Sequence, residues 1–486
     1  MLVRGTFVQC PKLGEFEILT DWLVAVDNLG YITHFEPAQS SSSSDLLCKQ
    51  EIDQILPPGT FLLPPFNDLH LHAPQFLYQG TGLDLPLLQW LHQYAFKAEE
   101  KLDCDPALAR KVYRRLSQRL VQAGTGAVCL FGTLKGDTNF ILAEEMRSAG
   151  IRAFVGKLSM DISSRPSYIE PSASAAVDAA RHFGEKLDQI YSVTSQPRPS
   201  LVHPIITPRF VPTCSDELLQ GLGELSAATG WRIQSHMAES SDLVEFVRKV
   251  RGEDDIRIFE KHNLLTSRTI QAHCTCLSTT SSPQSLSPQD SSSNQFIHLH
   301  NLGTAVAHCP LSNIYFSPSR PFCLREALEA QVKVGLGTDI AGGYSFDIMS
   351  AMRTAVAVSR IREGDREIPR GLTGSQTDVT SSKSLAIDWK ESLFLATLGG
   401  AQALGIETGM FKVGAIFDAQ QIRLFDPLTG VGTGALDFFE LEMEIINEGC
   451  DWEKRVLTEG MLEKWWCVGD ERNREAMWVQ GMKILG

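Results

Sequence analysis

The chain has little of what a nucleic-acid partner, a membrane or a disulfide scaffold would require. Basic residues are outnumbered, 44 Lys and Arg against 58 Asp and Glu, and the formal net charge is -14. Phosphate backbones are held by concentrated positive surface, and no such stretch occurs, so a small-molecule partner is expected and a nucleic-acid one is not. No uninterrupted apolar run approaches the roughly 20 residues that span a bilayer. The start, Met1 to Val8, lacks the basic segment and long apolar core of a secretory leader. Cysteine occurs 11 times, an odd number without framework spacing, which suits free thiols in a reducing compartment. The expectation is an ordinary cytosolic globular protein, in keeping with 43% hydrophobic and 21% charged residues.

A chain of 486 residues is long for a single core, so two domains, or one barrel with an appended layer, are expected. From Thr6 to about Phe35, apolar and polar residues alternate around turn signals at Asp27-Asn-Leu-Gly30, the pattern of short antiparallel strands. A second β-like region closes the chain, at Phe417 to Phe425 and at Trp478 to Ile484 around Gly481. The two ends are expected to share one sheet.

Between them, eight apolar strand-like runs are each followed by a helix-like segment: Phe61–His72, Ala127–Thr133, Arg152–Asp161, Leu201–Phe210, Trp231–Glu239, Thr269–Leu277, Gly303–Pro310 and Lys333–Ala341. Eight such repeats predict an α/β fold closed as a (β/α)₈ TIM-type barrel. Three polar segments fall outside the pattern, Ser40–Ser44, Ser278–Asn294 and Gly364–Ser384; they read as mobile surface insertions, since such compositions cannot bury a core.

The strongest local signal is Asp68-Leu-His70-Leu-His72 at the end of the first barrel strand. Residues two apart on a strand share a face, so both imidazoles project into the barrel mouth, and paired imidazoles suit zinc or a similar metal. Later strand ends also finish in possible ligands: His236 in Gln234-Ser-His-Met-Ala-Glu239, His273 in Gln271-Ala-His-Cys, and Asp339 in Gly337-Thr-Asp-Ile-Ala. Because the C-terminal ends of barrel strands converge on one rim, these groups can form one site.

In these motifs the chain resembles the amidohydrolase superfamily, in which a His-x-His after strand 1, His after strands 5 and 6, and Asp after strand 8 surround the metal. The resemblance covers nearly the whole chain. It implies a small β-sandwich from residues 1–60 and 411–486, and a catalytic barrel over 61–410 with insertions near 278–296 and 364–385. It implies His70, His72, His236 and Asp339 as ligands of one zinc per chain, with His273 nearby polarising substrate or water. Further stretches are similar to the guanine-deaminating members: His72-Ala-Pro-Gln-Phe76, Asp84-Leu-Pro-Leu-Leu-Gln-Trp-Leu91, Thr207-Pro-Arg-Phe210, Gly337-Thr-Asp-Ile-Ala-Gly-Gly-Tyr344, and Ala396 to Leu404 in a helix after the barrel. One departure is Pro64-Pro65 where Pro-Gly is usual, which bears on the local turn.

The implied substrate is guanine. By the same resemblance Gln75, Arg209 and the backbone at Phe210 contact the purine edge, and His236, Glu239 and His273 also face the substrate. Glu239 shuttles a proton to the departing amine, and Asp339 both ligates and accepts a proton from water. An Arg donor fits the C6 carbonyl of guanine, whereas adenine offers it no acceptor. A homodimer is implied too.

Several of these residues also have a plainer structural reading. Glu239 could be a helix-start carboxylate, Arg209 a surface ion pair and Gln75 a loop residue. His308 is read as structural or pocket-lining, and Cys274 and Cys276 as buried thiols. Lys157 raises a bridged second metal, but the resemblance implies a single one. At the level of function, the rivals are a related enzyme acting on an adenine-type or triazine ring and an inactive scaffold on the same barrel. A cytidine-deaminase type of zinc site is opposed by the lack of a Pro-Cys-x-x-Cys.

Overall fold

Alternation at the N-terminus produces three strands, β1 (Leu2–Gln9), β2 (Glu17–Val26) and β3 (Ile32–Pro37), paired as an antiparallel meander. The computed structural model describes residues 1–191, 198–279, 294–372, 383–439 and 456–486. The turn between β2 and β3 is held by Asp27, whose carboxylate accepts the N–H groups of Leu29 and Tyr31, both at 2.9 Å. Gly30 has φ +90°, and a Cβ there would meet the Gln480 carbonyl at 2.2 Å, so the close approach of the two chain ends requires glycine.

The serine run is not an insertion. Ser41–Leu47 is a helix whose cap, Ser40, accepts the Ser43 N–H at 3.1 Å, and Ser43 is buried. Serine favours the cap position for this reason, and composition alone hid it.

Two short strands follow, β4 (Gln54–Ile55) and β5 (Thr60–Leu63), both parallel to β1. The run Phe61–His72, expected as one barrel strand, is therefore two. Pro64-Pro65 lacks the N–H groups a ladder needs, so the chain leaves the first sheet there and enters the barrel at Phe66.

The barrel strands are β6 (Phe66–His72), β7 (Thr125–Phe131), β8 (Arg152–Gly156), β9 (Leu158–Ser159), β10 (Val202–Pro208), β11 (Arg232–Met237), β12 (Thr269–His273), β13 (Ala305–His308) and β14 (Val334–Leu336). They pair in parallel in the order β6-β7-β8-β10-β11-β12-β13-β14, with β9 beside β10. Past β14 the chain reaches β6: Asp339 N–H donates to the His70 carbonyl (2.8 Å) and His72 N–H to the Ile340 carbonyl (3.1 Å). All eight expected strands are present, and with this link the ring is nearly closed.

Strand residues at i, i+2 spacing, among them Ala127, Cys129, Ile270, Ala272, Ala305 and Ala307, form an apolar cluster inside the barrel. Helices cover the outside. In Pro106–Gln122, capped by Asp105, the buried residues Ala109, Val112, Tyr113, Leu116 and Leu120 make a single stripe.

The segment after residue 364 is also partly regular, because the helix Ile348–Leu372 runs through its first nine residues. Its charge there belongs to a helix face: Arg362 pairs with Glu326 (2.6 Å), and Glu363 pairs with Arg366 one turn on. Residues 373–382, and 280–293 of the other expected insertion, lie outside the described residues.

The chain ends as β15 (Ala419–Arg423), β16 (Arg474–Val479) and β17 (Met482–Leu485), which complete the first sheet in the order β17-β16-β15-β5-β1-β2-β3. The two ends thus share one sheet, joined where β5 meets β15 antiparallel. A buried ion pair, Arg152 to Asp418 at 2.5 Å, fastens this sheet to the barrel. Among the described residues no helix is long and apolar enough to cross a membrane.

Candidate metal centre and substrate pocket

His70 and His72 close β6, and the link to residues 339–340 carries Asp339 to their side. Asp68, below them, accepts the His70 N–H (3.2 Å), the Thr338 N–H (3.1 Å) and the Thr338 hydroxyl (2.5 Å). This staple fixes the first strand against the last, and burial pushes the Asp68 carboxyl up to about 7. Four donor atoms then converge. His72 Nε2 lies 2.9 Å from His236 Nε2, and Asp339 Oδ1 lies 3.2 Å from His70 Nε2 and 3.7 Å from His72 Nε2.

This set suits a divalent metal on three grounds. Burial drives the pKa of His70, and still further those of His72 and His236, below the usual imidazole range, so the rings are in the neutral form that ligates. Asp339 has its carboxyl held far below the usual range by the three imidazoles around it, against the opposing effect of burial. His70 Nε2 is buried without an aligned hydrogen bond, and His236 Nδ1 is bonded to the Arg209 carbonyl at 2.6 Å, which turns its Nε2 toward the cluster.

His273 stands on the other side of Asp339, its Nε2 3.8 Å from Asp339 Oδ2 and 3.6 Å from Glu239. Its Nδ1 is bonded to Asn313 Oδ1 at 2.9 Å, and its Nε2 has no hydrogen-bond partner. Glu239 is buried, and desolvation raises its carboxyl to about 7. The Thr275 hydroxyl is within hydrogen-bond distance of the carbonyls of Ala238 and Glu239 (3.1 and 2.7 Å), and Asp255 accepts the Ala238 N–H (2.9 Å). Four non-glycine residues here have positive φ: Ala238 (49°), His273 (69°), Cys274 (53°) and Asp339 (49°). Such backbone is unfavourable for residues with a Cβ and persists only where its surroundings impose it, as at a functional site.

Gln75, Arg209, Phe210, His236, Glu239 and Asp339 border one cavity that opens to solvent. The helical run 87–104, which contains a π turn at Leu91–Ala95, supplies another wall through Leu87, Trp90 and Leu91. Phe131 packs against His70, His72 and His236 with ring centroids 4.6–4.8 Å apart.

Three groups at this site were not legible in sequence. Asn313, which orients His273, sits in the run His308-Cys-Pro-Leu-Ser-Asn313 and carries no signal of its own. Asp255 looks like a helix-start acid. Glu99 stands in a charged helical stretch, Phe96-Lys-Ala-Glu-Glu100, that reads as a solvated face, yet it is buried and pairs with Arg209 at 2.6 Å. Arg209 is therefore in an ion pair, but a buried one at the pocket and not on the surface.

His308 is buried against Phe322, with centroids 4.9 Å apart, and burial lowers it to about 3; it is not among the residues bordering the cavity. Cys274 is buried and its thiol pKa is raised by desolvation, whereas Cys276, expected to be buried as well, is only partly so. Lys157 is committed to Glu170 and to the Leu158 carbonyl (2.7 Å) beyond β8.

The amidohydrolase family model matches residues 61–447. The chain belongs to the amidohydrolase family. Among its relatives, guanine deaminase of Rattus norvegicus is 34% identical over 496 residues, covering 100% of this chain and 96% of the relative. Guanine deaminase of Dictyostelium discoideum is 32% identical, covering 99% and 98%. The crystal structure of guanine deaminase from C. acetobutylicum with bound guanine in the active site superposes with a TM-score of 0.80 at 27% identity, covering 100% of this chain and 99% of that one. The family match takes in every residue that borders the cavity.

Proposed function

We infer that this chain catalyses the hydrolytic deamination of guanine to xanthine and ammonia. Relatives of that activity match along the whole chain. The observation that carries the reading is what borders one cavity: His72, His236 and Asp339 of a donor cluster that His70 completes behind them, the buried carboxylic acid of Glu239 and the guanidinium of Arg209.

His70, His72, His236 and Asp339 would hold one zinc per chain. When bound there, a divalent metal supplies the Lewis acidity that lets water lose a proton near neutral pH. Every other part falls to side chains. Arg209 and Gln75 bind the polar edge of the purine, the guanidinium donating to the C6 oxygen. Water adds at C2, which becomes tetrahedral as the ring nitrogen gains a proton. Asp339 accepts the proton that water gives up. Glu239, with its carboxyl near 7, can take and release a proton at the same pH. It gives one to the ring nitrogen, takes the remaining proton of the added hydroxyl as the C2 carbonyl forms, and delivers it to the exocyclic amine as the C2–N bond breaks. The proton held on Asp339 then restores its acid form. His273, fixed by Asn313, presents Nε2 to the developing charge.

The reading includes a cytosolic homodimer without a nucleic-acid partner, supported by the acidic net charge and by the prevalence of closed twofold assemblies. The test is ammonia release and loss of ultraviolet absorbance with guanine, adenine and cytosine as parallel substrates. Guanine alone should react. Turnover of adenine without guanine overturns the substrate assignment, and no turnover by metal-replete protein would support an inactive scaffold.

A further inference from the structure

We propose that Glu99 is a positioning residue for substrate recognition, one carboxylate that clamps both Arg209 and Gln75 and leaves each with a donor for the purine edge. This rests on the guanine reading above.

Glu99 Oε2 accepts from Arg209 Nη1 at 2.6 Å, and Glu99 Oε1 accepts from Gln75 Nε2 at 3.3 Å. All three side chains are buried, with Glu99 and Arg209 at 0% and 1% exposure. The other end of the Gln75 amide is also fixed, since Oε1 accepts the Ala341 N–H at 3.0 Å. That pairing admits a single amide orientation, because a carboxylate can only accept and an N–H can only donate. Gln75 then has one unused N–H.

Arg209 has more to spare. Its Nη2 is buried and without a hydrogen-bond partner, although Arg209 borders the cavity. A buried guanidinium nitrogen left unpaired is costly in a resting protein and is explained if an acceptor arrives with the ligand. The guanidinium plane is further held over Phe96, 4.8 Å from the ring centroid. Phe96 and Glu99 are three apart on the helix Phe96–Cys104 and so share a face. One helix thus grips Arg209 by its plane and by one nitrogen. The neighbouring Glu100 turns away to Arg165 at 2.6 Å, so the clamp belongs to Glu99 alone.

Glu99 touches neither substrate nor metal, so it acts through its two partners. A contact to the C6 oxygen made equally before and during reaction affects KM and not kcat.

The test is steady-state kinetics on guanine, with metal-loaded wild type, E99Q, R209Q and the double variant E99Q/R209Q, and thermal unfolding alongside. R209Q should raise KM by about 10- to 100-fold, the worth of a charged hydrogen bond, with kcat within about 3-fold. E99Q should raise KM by about 10-fold on the same ground. The double variant should raise KM by less than the product of the two single effects, because the part of the Glu99 effect that runs through Arg209 is already lost in R209Q and only the part through Gln75 remains. An E99Q that folds with unchanged KM, or a double variant whose losses multiply, overturns the positioning role. If E99Q alone fails to fold, the comparison of R209Q with the double variant decides, since neutralising both members of a buried pair is tolerated better than removing one. A wild type inert toward guanine overturns the guanine reading and this proposal together, which is distinct from an active wild type beside an indifferent E99Q.

Discussion

Glu239 offers a perturbation whose sign can be worked out. Its carboxyl is buried and raised from 4.5 to about 7 by desolvation. The unfolded chain releases this proton near 4.5 and the folded chain only near 7. Folding stability is therefore fully present below 4.5, is lost as pH climbs, and levels off above about 7. At about 1.36 kcal/mol per pH unit, the gap corresponds to roughly 3 kcal/mol at and above neutral pH. Glu239→Gln keeps the shape and removes the titration. In the metal-free protein the variant should be indistinguishable from wild type near pH 4.5 and melt a few degrees higher above pH 7, since roughly 3 kcal/mol in a chain of this size moves a midpoint by that much. The same variant should release ammonia about 100- to 10,000-fold more slowly, the usual contribution of a general acid–base group. Thermal unfolding from pH 4.5 to 8.5 beside an ammonia assay measures both. A midpoint difference that stays flat with pH, or an active variant, would refute the reasoning.

Three further outcomes are expected. Asp339→Asn removes the carboxylate that faces His70 at 3.2 Å and His72 at 3.7 Å, so elemental analysis should find much less bound metal and ammonia release should be lost. Lys157→Met leaves Glu170 charged and without its cation in the interior, a loss of about 3–5 kcal/mol that lowers the unfolding midpoint; the folded fraction should bind as much metal as wild type, and a lower content would mark Lys157 as a ligand. Gly337→Ala would set a Cβ 2.9 Å from both Cys309 Sγ and His70 Cβ. It should weaken metal retention in a chelator competition, and unchanged retention would show that the close approach does not constrain His70.

Much of this protein is local in its cause. The eight strand runs, their order and the polar ends that face the rim follow from apolar patterning and from the convergence of barrel strands, which is why His70, His72, His236, His273 and Asp339 could be grouped at one rim before any coordinates. The antiparallel ends follow from period-2 alternation in the same way. What sequence misjudged was local chemistry with two readings. Ser40–Ser44 has a disordered composition and a helix cap, and burial of Ser43 chose the cap. Phe61–His72 reads as one strand until Pro64-Pro65 is seen to divide it between two sheets.

Only tertiary structure decided the partnerships. Asp68 to Thr338, His273 to Asn313 and Arg209 to Glu99 span 270, 40 and 110 residues, and nothing in the pattern of either member specifies the other. The physical reason is that a charge or amide has no periodicity. It is placed by the backbone around it, and its meaning depends on whether water or another side chain meets it. Glu99 and Glu100 are the same residue type, adjacent on one helix, and the fold alone buries the first against Arg209 and turns the second to Arg165.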